Sequence, residues 1–267
     1  MAGIRRPKWT EQLRFGVLQG NAAIALLAML AGPSVAGILL TGLVYGRAGL
    51  RNLLARMTRW RASARWYAVA LLTAPLLMTA TLFALSLTSS EFLPGIFTTD
   101  DKASLLLFGI AVGLGAGFLE ELGWTGFAVP TLLRLRYGVL TTGLIVGVLW
   151  GAWHFLVNFW ASGSSSGELS LALFLPPVLF NLLVGVLPAY RVLMVWVYDR
   201  TGSLLVAMLM HASLTASTLI LGPLAVSGVA LLTWNLVLAA ALWVVVAAVA
   251  VANGGQLSRQ PLRRRVA

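Results

Sequence analysis

Cysteine is absent from the 267 residues of this chain, and charged residues are scarce. The absence of cysteine excludes disulfides, thiolate metal sites, a cysteine nucleophile and a lipid-modified cysteine. Charged residues make up 10% of the chain, whereas soluble domains average about 25%. Only eight residues are acidic and only two are histidines. Each of these that lies in an apolar segment is a candidate for function, because ionisable groups are costly in a bilayer.

Hydrophobic residues dominate the composition. They account for 59% of the chain, and the mean hydropathy is +0.90. We therefore predict an all-α, polytopic membrane protein with about eight hydrophobic helices of about 20 residues each and an intramembrane active site. We expect residues 1–267 to form a single domain. The net charge of +11 does not indicate nucleic-acid binding, because no basic, aromatic soluble surface is available. The lipid bilayer is the expected partner.

The arginines cluster in alternate loops, which predicts a topology through the positive-inside rule. The basic segment 47–65 is predicted to be a cytoplasmic interfacial helix on anionic lipid. The apolar segment 15–45 is interrupted by Gly32 and Pro33, so it is either one kinked span or two short helices. The alternation of loop charge favours two short helices that cross twice or dip in and return. Both termini then lie in the cytoplasm, and the protein is a multi-pass component of the cytoplasmic membrane. A cleaved signal peptide is the less favoured alternative for the N-terminus.

Two adjacent acids, Glu120 and Glu121, lie within a long apolar segment. On a helix they point about 100° apart, so they cannot act on one substrate atom in the same way. Glycines recur every four residues up to Glu121, at Gly109, Gly113 and Gly117, and small residues at this spacing let helices approach closely. We expect Glu121 near a tight helix contact and Glu120 as a general base for water. A proton relay or a helix-bonding carboxyl is the alternative for Glu120.

The two histidines, His154 and His211, lie in two further apolar segments. Thr215 follows His211 by one turn and shares its helix face. Two intramembrane histidines together with an acid pair favour a functional site over isolated structural hydrogen bonds. Nitrogen and oxygen donors suit zinc, so Glu120, His154 and His211 are candidate ligands of a divalent metal. The sequence does not decide this, although the His-Glu-x-x-His pattern of zinc proteases is absent.

Three short patterns in these segments together resemble those of a known family. They are Glu120-Glu121-x-x-x-Thr125, Trp150-x-x-x-His154 and His211-x-x-x-Thr215. The CAAX prenyl protease and bacteriocin-processing (CPBP) intramembrane endopeptidases, or type II CAAX proteases, carry Glu-Glu-x-x-x-Arg, Phe-x-x-x-His and His-x-x-x-Asn on three helices. Each pattern alone is weak, whereas their joint occurrence is specific.

The resemblance implies an eight-helix intramembrane protease whose catalytic core lies at about 66–222 and opens to the cytosol. It implies that Glu120 and His154 activate a water without a serine or cysteine nucleophile. It also implies that His211 and Thr215 stabilise the oxyanion. The implied substrate is a membrane-associated peptide or protein, prenylated or not. No cofactor is required in this interpretation.

The residue at position 125 departs from the family pattern. Thr125 stands where an arginine would pair with Glu121 one turn before it. We therefore expect Glu121 to be mainly structural, either neutral or paired with Arg134 or Arg136. On this view Glu121→Gln is tolerated much better than Glu120→Gln in both folding and activity, and Thr125→Arg restores an ion pair and keeps or raises activity.

Position 215 is the second departure, because a hydroxyl replaces an amide there and still donates one hydrogen bond. The two departures keep other functions open. The protein is alternatively a non-catalytic member of the same fold, acting as a scaffold or in peptide-toxin immunity. A proton-coupled transporter that uses the same acids and histidines is a further alternative, disfavoured by the lack of an internal repeat.

Overall fold

The structure, a computed structural model, describes the backbone of residues 8–161, 167, 170–223 and 226–258. Side chains are described from residue 27 onward within these ranges, apart from residue 161. The α-helices of the described ranges are α1 (Lys8–Met57), α2 (Ala64–Ser86), α3 (Gly95–Thr98), α4 (Lys102–Gly123), α5 (Val129–Arg134), α6 (Val139–Ala161), α7 (Leu171–Leu179), α8 (Val186–Thr201), α9 (Leu204–Leu221) and α10 (Gly228–Ala252). Single π-helical turns join α4 to α5 (Trp124–Ala128) and α7 to α8 (Phe180–Val184).

Seven helical stretches of the described residues are long and apolar enough to cross a membrane. They are Leu27–Met57, Ala64–Ser86, Lys102–Arg134, Val139–Trp160, Leu171–Thr201, Leu204–Leu221 and Gly228–Ala252. Large apolar side chains such as Leu43, Leu107 and Val244 point outward along them, which suits lipid, because lipid tails are as apolar as leucine. The protein is an all-α, integral, multi-pass membrane protein, as predicted.

The first helix differs from the sequence prediction. It runs without interruption through Gly32 and Pro33, so the expected break there is wrong. The backbone leaves the helical region at Gly46 instead, where φ is 60° and ψ is −158°, a conformation that glycine adopts at little cost. Residues 15–45 therefore do not fold back, and the double crossing that placed the N-terminus in the cytoplasm is absent.

Packing against α4 explains why the helix continues through Pro33. The hydroxyl of Ser34 donates a hydrogen bond to the carbonyl of Leu119 in α4. Gly123 lies so close to the Pro33 backbone that a Cβ at position 123 would overlap it. Proline is tolerated inside membrane helices where a neighbouring helix supports the interrupted turn, so tertiary contact overrides the local signal.

The glycine ladder of α4 packs on α9, as the four-residue spacing predicted. A Cβ on Gly113 would lie 2.6 Å from the carbonyl oxygen of Ala212, and one on Gly117 would overlap that of Met208. The two helix backbones therefore nearly touch along this line. Glu121 continues the ladder one turn later, which brings its carboxylate against His211 of α9.

The π-helical turn Trp124–Ala128 follows the two glutamates directly. Such turns leave backbone groups without their usual partner and recur at functional sites. Here Arg56 of α1, which is buried, donates from Nη2 to the carbonyl of Gly126 at 2.7 Å. Its Nη1 donates to the hydroxyl of Tyr198 in α8 at 2.7 Å. Arg56 thus connects α1 to the π-helical turn that follows the glutamates and to α8.

Candidate active site

The two glutamates lie at the C-terminal end of α4 and are almost completely buried, with 1% of Glu120 and 0% of Glu121 exposed. Their side chains serve different groups of partners, as expected for adjacent residues on a helix. Glu120 faces α6, where its partners are Trp150 and His154. Glu121 contacts α8 and α9.

One carboxylate oxygen of Glu120 is hydrogen-bonded, and the other makes no direct hydrogen bond to His154. Its Oε2 accepts a hydrogen bond from the indole nitrogen of Trp150 at 2.8 Å. Its Oε1 lies 3.9 Å from Nε2 of His154, which is too far for a direct hydrogen bond. Nδ1 of His154 lies 2.8 Å from the carbonyl of Trp150. Because a carbonyl only accepts, Nδ1 carries the proton, and the lone pair of neutral His154 is on Nε2, towards Glu120.

Glu121 has its full set of partners. Nη1 of Arg191 lies 2.9 Å from both carboxylate oxygens. Nδ1 of His211 donates to Oε1 at 2.7 Å, and the hydroxyl of Thr125 donates to Oε2. Arg191, which is 0% exposed, is therefore the counter-charge of Glu121.

The expectation that Arg134 or Arg136 fills this role is wrong. The guanidinium carbon of Arg134 lies 4.5 Å from the centre of the Tyr45 ring, and Arg136 is exposed. Glu121 is also not left without a cation, which was the reason for expecting it to be neutral. Arg191 of α8 therefore supplies the positive charge that an arginine at position 125 would supply in the motif.

Trp150 lies between the two groups of residues and contacts both. Its ring is buried, with 1% exposed, and the guanidinium carbon of Arg191 lies 4.0 Å from its centre. The rings of His154 and His211 meet it edge to face, at centroid distances of 5.3 Å and 4.9 Å. The substitution of tryptophan for the family's phenylalanine therefore adds a hydrogen-bond donor for Glu120 that sequence reasoning overlooked.

A cavity of about 330 Å³ opens beside His154 and Trp150. Most of its wall is apolar, with contributions from α2, α7, α8, α9 and α10. Five uncharged polar side chains complete the wall: Asn158, Asn181, Thr215, Thr218 and Asn235. The cavity is within the size range of small-ligand sites, and His154 is the ionisable side chain on its wall.

The structure thus places four predicted residues in one connected cluster, namely Glu120, Glu121, His154 and His211. Thr215 lies apart from the hydrogen bonds of the cluster and faces the cavity with His154. Sequence reasoning missed Arg191, because an arginine that follows an apolar segment usually indicates a loop. The run of apolar residues in fact continues past Arg191 to Val197. An arginine inside such a run is itself a signal of function.

The three candidate metal ligands, Glu120, His154 and His211, each have a hydrogen-bond partner of their own. No group of three or more histidine, aspartate or glutamate side chains in the described part of the chain is positioned to hold a metal ion. His211 directs Nδ1 to Glu121, and Glu120 directs Oε2 to Trp150. These contacts use one donor atom of each residue, and we derive no step through a metal.

Comparison with known proteins gives the same family as the short motifs. The sequence model of the family described as "Type II CAAX prenyl endopeptidase Rce1-like" matches residues 102–217. This region of the chain is therefore similar to that family. It contains every candidate site residue named above, and Arg191 and Trp150 as well. The CAAX prenyl protease 2 of Methanococcus maripaludis is 35% identical to the chain over 78 residues. That match covers 29% of this chain and 27% of the relative, so the chain matches about a quarter of the relative's length.

Proposed function

We propose that the protein is an intramembrane endopeptidase that hydrolyses a peptide bond in a membrane-associated substrate. The observation that carries the proposal is the separation of 3.9 Å between Glu120 and His154. One group is a carboxylate and the other an imidazole with its lone pair towards that carboxylate, and His154 borders the cavity. A carboxylate and an imidazole in this arrangement suit the binding and deprotonation of a water molecule. The Rce1-like match of residues 102–217 supports the same reaction class.

In the proposed reaction the water is bound by Oε1 of Glu120 and Nε2 of His154. Glu120 takes a proton as the water oxygen attacks the carbonyl carbon of the peptide. The tetrahedral intermediate carries a negative oxygen, which needs hydrogen-bond donors. The proton held by Glu120 then goes to the leaving amine, and a carboxylic acid and an amine are released. No enzyme nucleophile is required for these steps.

The proposed oxyanion donors are Thr215 and His211. Thr215 lines the cavity, and a threonine hydroxyl can donate one hydrogen bond. Nδ1 of His211 donates to Glu121, so its Nε2 becomes a donor when the ring is protonated. Glu121 and Arg191 would then set the orientation of His211 and do not touch the reacting atoms.

A peptide library tests the proposal. We would incubate detergent-purified wild type and Glu120→Gln with the library and identify products by mass spectrometry. Glu91→Gln, which alters an exposed acid outside the cluster, is the matched control. Cleavage by the wild type and by Glu91→Gln, but not by Glu120→Gln, is the expected result. Equal cleavage by Glu120→Gln would refute the role of Glu120. An absence of cleavage by the wild type would favour the scaffold interpretation.

We also propose that the basic segment 47–65 and the C-terminus lie on the cytoplasmic side of the cytoplasmic membrane. Arg47, Arg51 and Arg65 are exposed, and the positive-inside rule places such clusters in the cytoplasm. Reporter fusions at Arg61 and Asp100 test this. An internal signal at Arg61 and an external one at Asp100 are expected, and the reverse pair would refute the orientation. If all seven stretches cross, an odd number of crossings puts the N-terminus outside.

A further inference from the structure

Arg191 makes two contacts that no other residue of the described cluster combines. Its Nη1 pairs with both oxygens of Glu121 at 2.9 Å. Its guanidinium carbon lies 4.0 Å from the centre of the Trp150 ring. Both contacts are made by a side chain that is 0% exposed. Cation–π attraction is strongest with tryptophan and grows when the pair is desolvated.

Arg191 pairs with Glu121 through one nitrogen only, and the Trp150 ring is its second contact. Its Nε and Nη2 have no hydrogen-bond partner among the residues that the structure describes. A guanidinium normally pairs with a carboxylate through two nitrogens, but here Nη1 alone serves Glu121. The position of the group is therefore set by the Trp150 ring as well as by the ion pair.

Trp150 transmits this position to the other glutamate. Its indole nitrogen donates a hydrogen bond to Oε2 of Glu120 at 2.8 Å. Its backbone carbonyl accepts a hydrogen bond from Nδ1 of His154 at 2.8 Å. A shift or tilt of the ring therefore changes the geometry between Glu120 and His154. Misplacement by about 1 Å is enough to lower a rate by about 10²-fold.

We propose that Arg191 is a positioning residue for both halves of the site. From α8 it supplies the charge that balances Glu121, and through the Trp150 ring it fixes the carboxylate of Glu120 relative to His154. The cation of this site thus comes from a residue 70 positions after Glu121, whereas Thr125 contributes only a hydroxyl. The catalytic part of this inference rests on the proposed function.

The experiment compares Arg191→Met, Arg191→Lys and the double variant Glu121→Gln/Arg191→Met with the wild type. Arg200→Met is the matched control, because Arg200 belongs to the same helix and donates to Asn253 at 2.8 Å, away from the cluster. The first readout is the 19F spectrum of protein labelled with 5-fluorotryptophan. The chain has ten tryptophans, and Trp150→Phe identifies the line of Trp150. The other readouts are the thermal midpoint, kcat and KM.

Arg191→Met is expected to move the 19F line of Trp150, to lower the midpoint and to lower kcat by about tenfold with KM little changed, because its effect on Glu120 passes through the single hydrogen bond from Trp150. Arg191→Lys keeps the charge but not the planar group. The position of its Trp150 19F line and its kcat should therefore lie between those of Arg191→Met and the wild type. The double variant removes both charges, and its midpoint should therefore recover towards that of the wild type. Its kcat should stay low, and its Trp150 19F line should remain displaced from the wild-type position. Arg200→Met should leave the Trp150 line and kcat unchanged.

Two results would overturn the proposal. A Trp150 line that does not move in Arg191→Met would show that Arg191 does not position the ring. A double variant that regains kcat together with its midpoint would show that Arg191 only balances the charge of Glu121. The fluorine spectrum and the midpoint do not require turnover. A wild type without peptidase activity would therefore refute the proposed function, while these two measurements would still test the placement of Trp150 by Arg191.

Discussion

The two glutamates of this protein are neighbours in sequence but lie in unlike surroundings. Glu121 is enclosed by Arg191, His211 and Thr125 with contacts of 2.9 Å or less. Glu120 has one firm contact, to Trp150, and a separation of 3.9 Å from His154 at the side of the cavity. A carboxylate with all its partners holds other groups in place, whereas one with a vacant acceptor side can receive a water. The difference supports the proposal that Glu121 is structural and that Glu120 activates the water.

The largest effect on activity should come from substitutions of Glu120 and His154. Glu120→Gln and His154→Ala remove the groups proposed to bind and deprotonate the water. We expect each to lower kcat by about 10²- to 10⁴-fold, the range of general acid–base catalysis, with a thermal midpoint close to that of the wild type. Initial rates and thermal melts in one detergent measure this, with Glu91→Gln as the control. Near-normal turnover by His154→Ala would remove His154 from the mechanism.

Substitution of Glu121 should mainly lower the stability of the protein. Glu121→Gln leaves the Arg191 guanidinium buried without its counter-charge, and breaking a buried ion pair on one side costs about 3 to 5 kcal/mol. The expectation from sequence alone, that Glu121→Gln is tolerated better than Glu120→Gln, therefore reverses for stability. A lowered thermal midpoint and low yield are the predicted result. A midpoint within experimental error of the wild type would mean that the Arg191–Glu121 pair contributes nothing.

The comparison also separates what a sequence can predict here from what it cannot. The glycine ladder of α4 is a local pattern with a fixed four-residue period, so its close packing on another helix could be predicted from Gly113 and Gly117. The grouping of Glu120, His154 and His211 could be predicted because each interrupts an apolar segment. These signals need no knowledge of which helices touch.

Other features depend on contacts between distant segments and could not be read locally. Pro33 usually ends a helix, but packing on Gly123 of α4 lets α1 continue. Arg191 follows an apolar segment in the sequence, a position that usually indicates the start of a basic loop. Only the approach of α8 to α4 shows that it is the partner of Glu121. The compensation for Thr125 is thus invisible to any pattern confined to one helix.

Thr125→Arg sharpens the distinction between the two halves at a smaller scale. Thr125 is 1% exposed and donates to Glu121, which already pairs with Arg191. A second guanidinium would overpack the site and add a like charge, so we expect a loss of stability of about 1 to 3 kcal/mol and lowered activity. Thr125→Ser, which keeps the hydroxyl, is the control and should behave as wild type. Higher activity in Thr125→Arg would instead support the original motif-based expectation.

The smallest effect should come from Trp150→Phe, which tests the link between the halves. Phenylalanine keeps an aromatic ring beneath Arg191 but lacks the indole nitrogen that donates to Glu120 at 2.8 Å. A hydrogen bond to a charged group is worth about 1.5 to 3 kcal/mol, and a water in the space left by the larger ring would replace part of it. We therefore expect kcat to fall about tenfold, equivalent to about 1.4 kcal/mol.

The control for this change is Trp160→Phe, because Trp160 lies on the same helix and is largely exposed. It should leave kcat unchanged, so that a difference between the two variants reports the bond to Glu120. Steady-state kinetics give the comparison. A fall of 10²-fold or more in Trp150→Phe would mean that the indole nitrogen is as important as the water-binding groups. Unchanged kcat would mean that α4 alone holds Glu120, and the two halves of the site would then act independently.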